Sequence, residues 1–323
     1  LVGSEMCIRD SYTSEAFFQR EIARMWSRVW QFACREEQVP AVGDFYVYDV
    51  GPYSVIVVRT EAGLKGYHNS CLHRGTKLKP SAAGGWTGGQ IQCPFHGWTW
   101  NLDGSLREVP CAWEFEHLDY SANRLPEVQV SAWNSLVFIN MDLDAPSLLS
   151  YLEVLPDHFG RWWGFDEWYT HVHVQKELSC NWKTAQEAFM EAYHTPVVHP
   201  EMTQVVGDWN MQHDIFGVHT SRDLCPMAVS SPSAEHGLTQ QELLDRRLAG
   251  GPQAGDRVLV PDGESARSII AARTRQKAAD RFGKDFSKLS DAELIDSLKY
   301  NVFPNLFVYG GPGLPQIQQV RPL

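Results

Sequence analysis

Long apolar runs are missing from this sequence. None of its 323 residues falls in a stretch approaching the roughly 18 consecutive apolar positions of a membrane-spanning helix. No basic segment leads into an apolar run as a secretory signal would, so the expected compartment is the cytoplasm. A surplus of basic residues is missing as well. Lys and Arg number 28 against 39 Asp and Glu, a formal charge of -11, which argues against nucleic acid as a general partner because no basic face can displace counterions. Seven cysteines form no disulfide framework. Cys7, Cys34, Cys111, Cys180 and Cys225 are scattered and read as small buried hydrophobes. No G-x-G-x-x-G fingerprint occurs, so a dinucleotide would have to be handled by another chain. Repeats and low-complexity tracts are absent too.

What is present is a soluble, globular composition, 43% hydrophobic, long enough for two domains with cores of their own. Within it stand Cys71-x-His73 and Cys93-x-x-His96. A structural zinc site pairs like with like, C-x-x-C and then H-x-x-x-H, whereas here each short loop carries one thiol and one imidazole. The flanks, Asn69 to Gly75 and Cys93-Pro94-Phe95-His96-Gly97-Trp98, read as tight loops. Pro94 and Gly97 fix the turn and free backbone N–H groups to face sulfur. This order resembles Rieske proteins, which implies a 2Fe-2S cluster held by Cys71, His73, Cys93 and His96. Two histidines on one iron raise the potential above that of a four-thiolate cluster, and an acidic surface suits a basic electron-transfer partner.

Leu1 to Asp10 show no periodicity and resemble translated adapter sequence, so no element is assigned there. From Ser14 to Trp30, Phe18, Ile22, Met25, Trp26 and Val29 fall at helical spacing. Gly43 to Asn140 changes to short Val-, Tyr-, Ile- and Trp-rich runs over 45–50, 54–60, 66–69, 91–93 and 98–102, an antiparallel all-β texture. Asp103-Gly104 marks a hairpin turn. A strand over 135–140 and a helix over 147–155 place the boundary near residue 150. Beyond it the expected elements are a strand over 171–178, a helix opening at Asn181, and helices over 239–248, 264–282 and 291–300. Phe303-Pro304-Asn305 then leads into a strand. The fold class is α+β, a small antiparallel all-β domain plus a mixed α+β domain with an antiparallel sheet, incomplete at its C-terminus. The divisions are 1–42, a segment and helix packing on the larger domain, 43–150, the cluster domain, and 151–323.

The helix from Asn181 runs through Glu191 to His194, with His199 five residues on. On one unbroken helix that spacing turns the imidazoles about 140° apart, so the chain must leave the helix between them, and Pro196 supplies the break. Both rings can then converge on one iron, zinc or copper ion. N-W-K followed by E-A-Y-H-x-x-x-x-H resembles the catalytic domain of Rieske non-haem iron oxygenases, the large subunits of ring-hydroxylating dioxygenases and their monooxygenase relatives. The resemblance covers residues 14 to 323. It implies that His194 and His199 ligate a mononuclear Fe(II) in a two-histidine, one-carboxylate triad. It also implies that Glu191, where the family more often has Asp, bridges an iron ligand to His96 of a neighbouring copy.

The family's third ligand follows the F-P-N segment, yet Leu306 to Leu323 holds neither Asp nor Glu, so the sequence reads as a C-terminally truncated fragment. Glu201, Asp208 and Asp214 are nearer but read as solvated. The expected activity is the oxygenase component of a multicomponent system. Electrons would come from NAD(P)H through a reductase, with or without a ferredoxin, to activate O2 and hydroxylate a small aromatic substrate. The resemblance implies a homotrimer, with or without a beta subunit. One alternative is a monooxygenase or demethylase acting on an amine or other non-aromatic substrate, and another is a simple electron carrier, against which the residues beyond 150 argue. The substrate pocket is expected at Phe189, Met190 and residues between Val205 and Cys225.

Overall fold

The computed structural model describes residues 10–80, 83–85, 89–162, 164–248, 258–313 and 315–323. These fall into two compact units. One holds the chain up to Tyr151 together with Phe165–Lys183 and Val320–Leu323, and the other holds Leu152–Gly164 and Thr184–Gln319. Among the described residues, no helix is long and apolar enough to cross a membrane.

The first unit is built on β1 (Gln31–Arg35), β2 (Asp44–Val50), β3 (Tyr53–Thr60), β4 (Gly63–His68), β5 (Ala83–Gly85), β6 (Gln90–Gln92), β7 (Thr99–Asn101), β8 (Leu106–Glu108), β9 (Glu127–Trp133) and β10 (Leu136–Asn140). Seven of these form one antiparallel sheet in the order β1-β10-β9-β4-β3-β2-β5, and β6, β7 and β8 form a second. Strand alternation sends Phe45, Val47, Ile56 and Val58 into one core with Ile91, Trp98, Trp100 and Leu106. Each fully buried aliphatic there contributes about 1.5–3 kcal/mol relative to exposure. Asp103-Gly104 does close the β7–β8 hairpin, and Asp103 Oδ1 accepts from the Ser105 N–H and hydroxyl.

The Ser14-to-Trp30 helix is shorter than its periodicity suggests. Ser14 caps Glu15–Glu21, a π-helical turn follows over Ile22–Trp26, and β1 begins at Gln31. Trp26 is fully buried against Trp182, with ring centroids 5.1 Å apart. Glu21 receives Lys183 Nζ at 2.6 Å and Trp182 Nε1 at 3.2 Å, while Asn181 Nδ2 donates to the Tyr12 carbonyl. The N-W-K triplet therefore clasps this N-terminal segment.

The second unit carries β11 (Gln212–Phe216), β12 (Thr220–Cys225), β13 (Ser297–Val302), β14 (Leu306–Tyr309) and β15 (Ile317–Gln319), antiparallel and in sequence order. Between β12 and β13 run helices Gln240–Leu248 and Ala266–Phe282, then Asp291–Ile295, which a Ser290/Glu293 capping box opens.

Several sequence expectations give way here. The helix expected over 291–300 stops at Ile295, because Ser297–Val302 is the central strand of the sheet and pairs on both sides; tertiary pairing overrides local propensity. Residues 171–178 alternate but form no strand, and Val172 and Val174 stand 70% and 80% exposed. A strand needs a ladder partner, which alternation alone does not supply. Cys111 and Cys180 are exposed rather than buried, whereas Cys34 is buried; Cys7 lies outside the described residues.

Candidate functional site

Two loops at the edge of the β core repeat one hydrogen-bond pattern. The Cys71 N–H donates to the Thr76 carbonyl and the Cys93 N–H to the Trp98 carbonyl, each five residues on. Gly75 N–H returns to the Cys71 carbonyl and Gly97 N–H to that of Cys93. Both glycines take left-handed backbone, φ 74° and 73°, a conformation that costs an L side chain about 1–2 kcal/mol. A Cβ at Gly97 would also stand 3.3 Å from the Pro110 ring.

These loops bring all four cluster candidates together. Cys71 and Cys93 are buried in the same core, and their thiols are close enough to hydrogen-bond. Burial pushes the Cys71 thiol up, while the N–H groups of His73 and Arg74, which face its sulfur, pull the other way. His73 Nδ1 and His96 Nδ1 approach to 3.1 Å. Two thiols facing inward and two Nδ1 atoms converging beside them match the donor set of a 2Fe-2S centre with two imidazoles on one iron. Surrounding aromatics, which spacing did not reveal, hold the rings. Trp98 stacks on His73 with planes 3° apart at 5.2 Å, and Phe95 lies 3.8 Å from the His96 ring. The adjacency of Phe95 to His96 and the C-P-F-H-G-W run were the only signals that could have found them.

The second cluster of candidates lies where the helix from Asn181 ends. That helix covers Trp182–Glu187 only, and a separate short helix, Thr195–Val198, begins with His194 as its N-cap and Pro196 in its first turn. Pro196 therefore starts a helix instead of breaking one, which suits a residue with no N–H to donate. Glu191 ties the segment between the two helices to His194. Its Oε2 accepts from the His194 backbone N–H at 3.1 Å and its Oε1 lies 2.5 Å from His194 Nδ1. Burial works against the Glu191 charge, but the His194 hydrogen bonds outweigh it and hold the carboxyl below its ordinary range. The His194 and His199 rings meet edge to face, centroids 5.5 Å apart. With Nδ1–H tied to a carboxylate, Nε2 keeps the lone pair that a metal needs.

Among the described residues, no third His, Cys, Asp or Glu side chain is arranged with His194 and His199 to hold a metal ion. The two imidazoles thus form an incomplete donor set. Of the nearby carboxylates, Glu201 is exposed and Asp214 is bound by Arg222 at 2.6 Å. Asp208, expected to be solvated, is instead buried at 9% exposure.

A Rieske [2Fe-2S] domain model matches residues 29–125, and the model for the catalytic domain of the ring hydroxylating alpha subunit matches residues 161–323. The chain belongs to the ring-hydroxylating alpha-subunit family. Among curated relatives of this alpha subunit, it is 32% identical to the biphenyl 2,3-dioxygenase alpha subunit of Rhodococcus jostii over 57% of this chain and 41% of that one. It is 26% identical to the glycine betaine monooxygenase oxygenase subunit of Pseudomonas aeruginosa, over 69% and 52%. The chain thus spans about half the length of these relatives. Its fold is similar to a solved quaternary ammonium Rieske monooxygenase, TM-score 0.68 at 17% identity, covering 96% of this chain and 69% of that one. It is likewise similar to naphthalene 1,2-dioxygenase, TM-score 0.64 at 19% identity, with the same coverage. The family's cofactors are the Rieske 2Fe-2S cluster and a mononuclear iron.

Proposed function

We propose that this chain is the oxygenase component of a multicomponent Rieske system. Cys71, His73, Cys93 and His96 would hold the cluster, and His194 and His199 the mononuclear Fe(II). The observation that carries this reading is the presence, in one chain, of converging His73 and His96 Nδ1 atoms beside two buried thiols and of a carboxylate-oriented histidine pair. When bound, the cluster supplies single electrons and the iron supplies O2 activation for hydroxylation.

The chain's own residues have defined tasks in this reading. Trp98 and Phe95 fix the two ring planes, the His73 and Arg74 N–H groups tune the Cys71 sulfur, and Glu191 sets the tautomer of His194. Glu191 is also the proposed bridge to His96 of a neighbouring copy, which requires an oligomer, most simply a homotrimer, with or without a beta subunit. Reducing equivalents would arrive from NAD(P)H by way of a separate reductase, with or without a ferredoxin. The proposed divisions are 43–150 for the cluster and 151–323 for the iron, with 1–42 preceding them. Residues 306–323 contain no acidic side chain, so a facial-triad carboxylate is not among them.

The substrate reading is a small aromatic molecule, as the name of the biphenyl 2,3-dioxygenase relative suggests. A second reading, oxidation of an amine, is favoured by the likeness to glycine betaine monooxygenase over 69% of this chain. His73→Ala tests the assignment of the cluster. The variant should lose the visible absorption of the 2Fe-2S centre, and an unchanged spectrum would remove the Rieske site from these residues.

A further inference from the structure

A third loop closes over the two that carry the cluster candidates. Residues 110–118 leave the core at Val109 and return to it at Leu118, and that same core holds Cys71 and Cys93. Between these anchors the loop makes its own geometry. Cys111 takes left-handed backbone, φ 55°, and opens a single helical turn over Ala112–Glu114, which the Phe115 N–H closes on the Ala112 carbonyl at 2.9 Å. The Leu118 N–H donates in turn to the Phe115 carbonyl at 2.9 Å.

The loop touches both of its neighbours. Pro110 packs over Gly97 of the Cys93 loop, and Phe115 packs on the His73 ring of the Cys71 loop, with centroids 6.4 Å apart and planes at 85°. Phe115 also meets Trp98 edge to face at 5.9 Å. Because Trp98 already stacks on His73, that imidazole is held from two directions by rings that lie outside its own loop. His96 has no such enclosure. It is exposed, and the Phe95 ring beside it is 59% exposed.

We propose that Phe115 is a positioning residue for the cluster, clamping the His73 ring beside Trp98 and keeping water from that flank, so that it holds the reduction potential down. Resting on the assignment of the cluster to Cys71, His73, Cys93 and His96, this adds a determinant from outside both ligand loops. The direction follows from charge. Two ferric ions, two sulfides, two thiolates and two neutral imidazoles sum to zero, and one added electron makes the centre an anion. Water beside the site therefore favours the reduced state, and apolar cover disfavours it.

The test is a potentiometric titration of the reconstituted full-length protein, followed by cluster absorption, for the parent chain and for Phe115→Ala, Phe115→Leu and Trp113→Ala. Phe115→Ala should raise the midpoint potential, increasing the reduced-to-oxidised ratio at a fixed applied potential at least about threefold, which is about 28 mV at about 59 mV per tenfold for one electron. Phe115→Leu, which restores apolar bulk, should recover most of that shift. Trp113→Ala is the control: it removes an indole on the same loop that is 73% exposed, and it should leave the potential where it was. If Phe115→Ala takes up no full cluster, Phe115→Leu decides alone, and a smaller rise is then the expected result. An unchanged or lowered potential in the deciding variant, or an equal rise in Trp113→Ala, would overturn the proposal. A parent protein that takes up no 2Fe-2S cluster would instead remove the cluster reading, and this role of Phe115 with it.

Discussion

Glu191 Oε1 and His194 Nδ1 lie 2.5 Å apart, and the same carboxylate's other oxygen accepts from the His194 backbone N–H. One side chain thus fixes both the ring and the start of the helix that carries it toward His199. The two effects have the same source, a carboxylate three residues before its partner, acting across a turn where an uninterrupted helix would have left the His194 N–H committed to a carbonyl.

Removing that carboxylate should loosen the proposed metal site without unfolding the chain. Glu191→Ala should lower Co(II) or Fe(II) affinity of the full-length protein by about 10–100-fold, the usual effect of losing a carboxylate behind a histidine ligand. Metal titration followed by absorption checks this, and unchanged affinity would leave Glu191 no orienting role.

The clasp on the N-terminal segment should matter for stability. Glu21 and Lys183 are 10% and 15% exposed in their side chains and 2.6 Å apart, and Glu21 also receives Trp182 Nε1. Glu21→Ala strands the Lys183 ammonium and should cost about 3 kcal/mol. Denaturant unfolding followed by Trp fluorescence reads the loss; Trp26 and Trp182, in contact with each other, lie at the site.

Much of this was legible in residue types and spacing, and the limits have physical causes. Cys71, His73, Cys93 and His96 sit on short loops where the chain dictates its own geometry through Gly75 and Gly97, so the cluster candidates could be read locally. Helix ends could not. Glu187 ends one helix and Ile295 another because of contacts made by Gln186 with Asn301 and by β13 with both neighbouring strands, pairings far apart in the chain. Burial of Asp208 and Asp223 was hidden for the same reason. A carboxylate reads as solvated until the sheet that covers it is known.

A pH dependence follows from His158. Its ring nitrogen Nδ1 lies 2.8 Å from the Tyr300 hydroxyl, and burial, with Arg222 and Arg161 adding to it, holds its pKa below the ordinary value. The unfolded chain therefore takes up a proton near pH ~6.5 while the folded chain does not. Stability from this group is fully present above that pH and is lost as pH falls toward the folded pKa. His158→Gln should flatten this part of the acid limb in thermal melts taken between about pH 7 and pH 5. A limb of unchanged slope would show that His158 titrates alike in both states.

The account's central claim is that one polypeptide carries an electron-donating cluster and a separate catalytic iron. The most direct test counts iron and acid-labile sulfide per full-length chain after anaerobic reconstitution. Three irons to two sulfides, falling to two irons in His194→Ala/His199→Ala with the cluster absorption intact, is the result expected of an oxygenase. Two irons in both proteins would contradict it and leave a carrier of electrons alone.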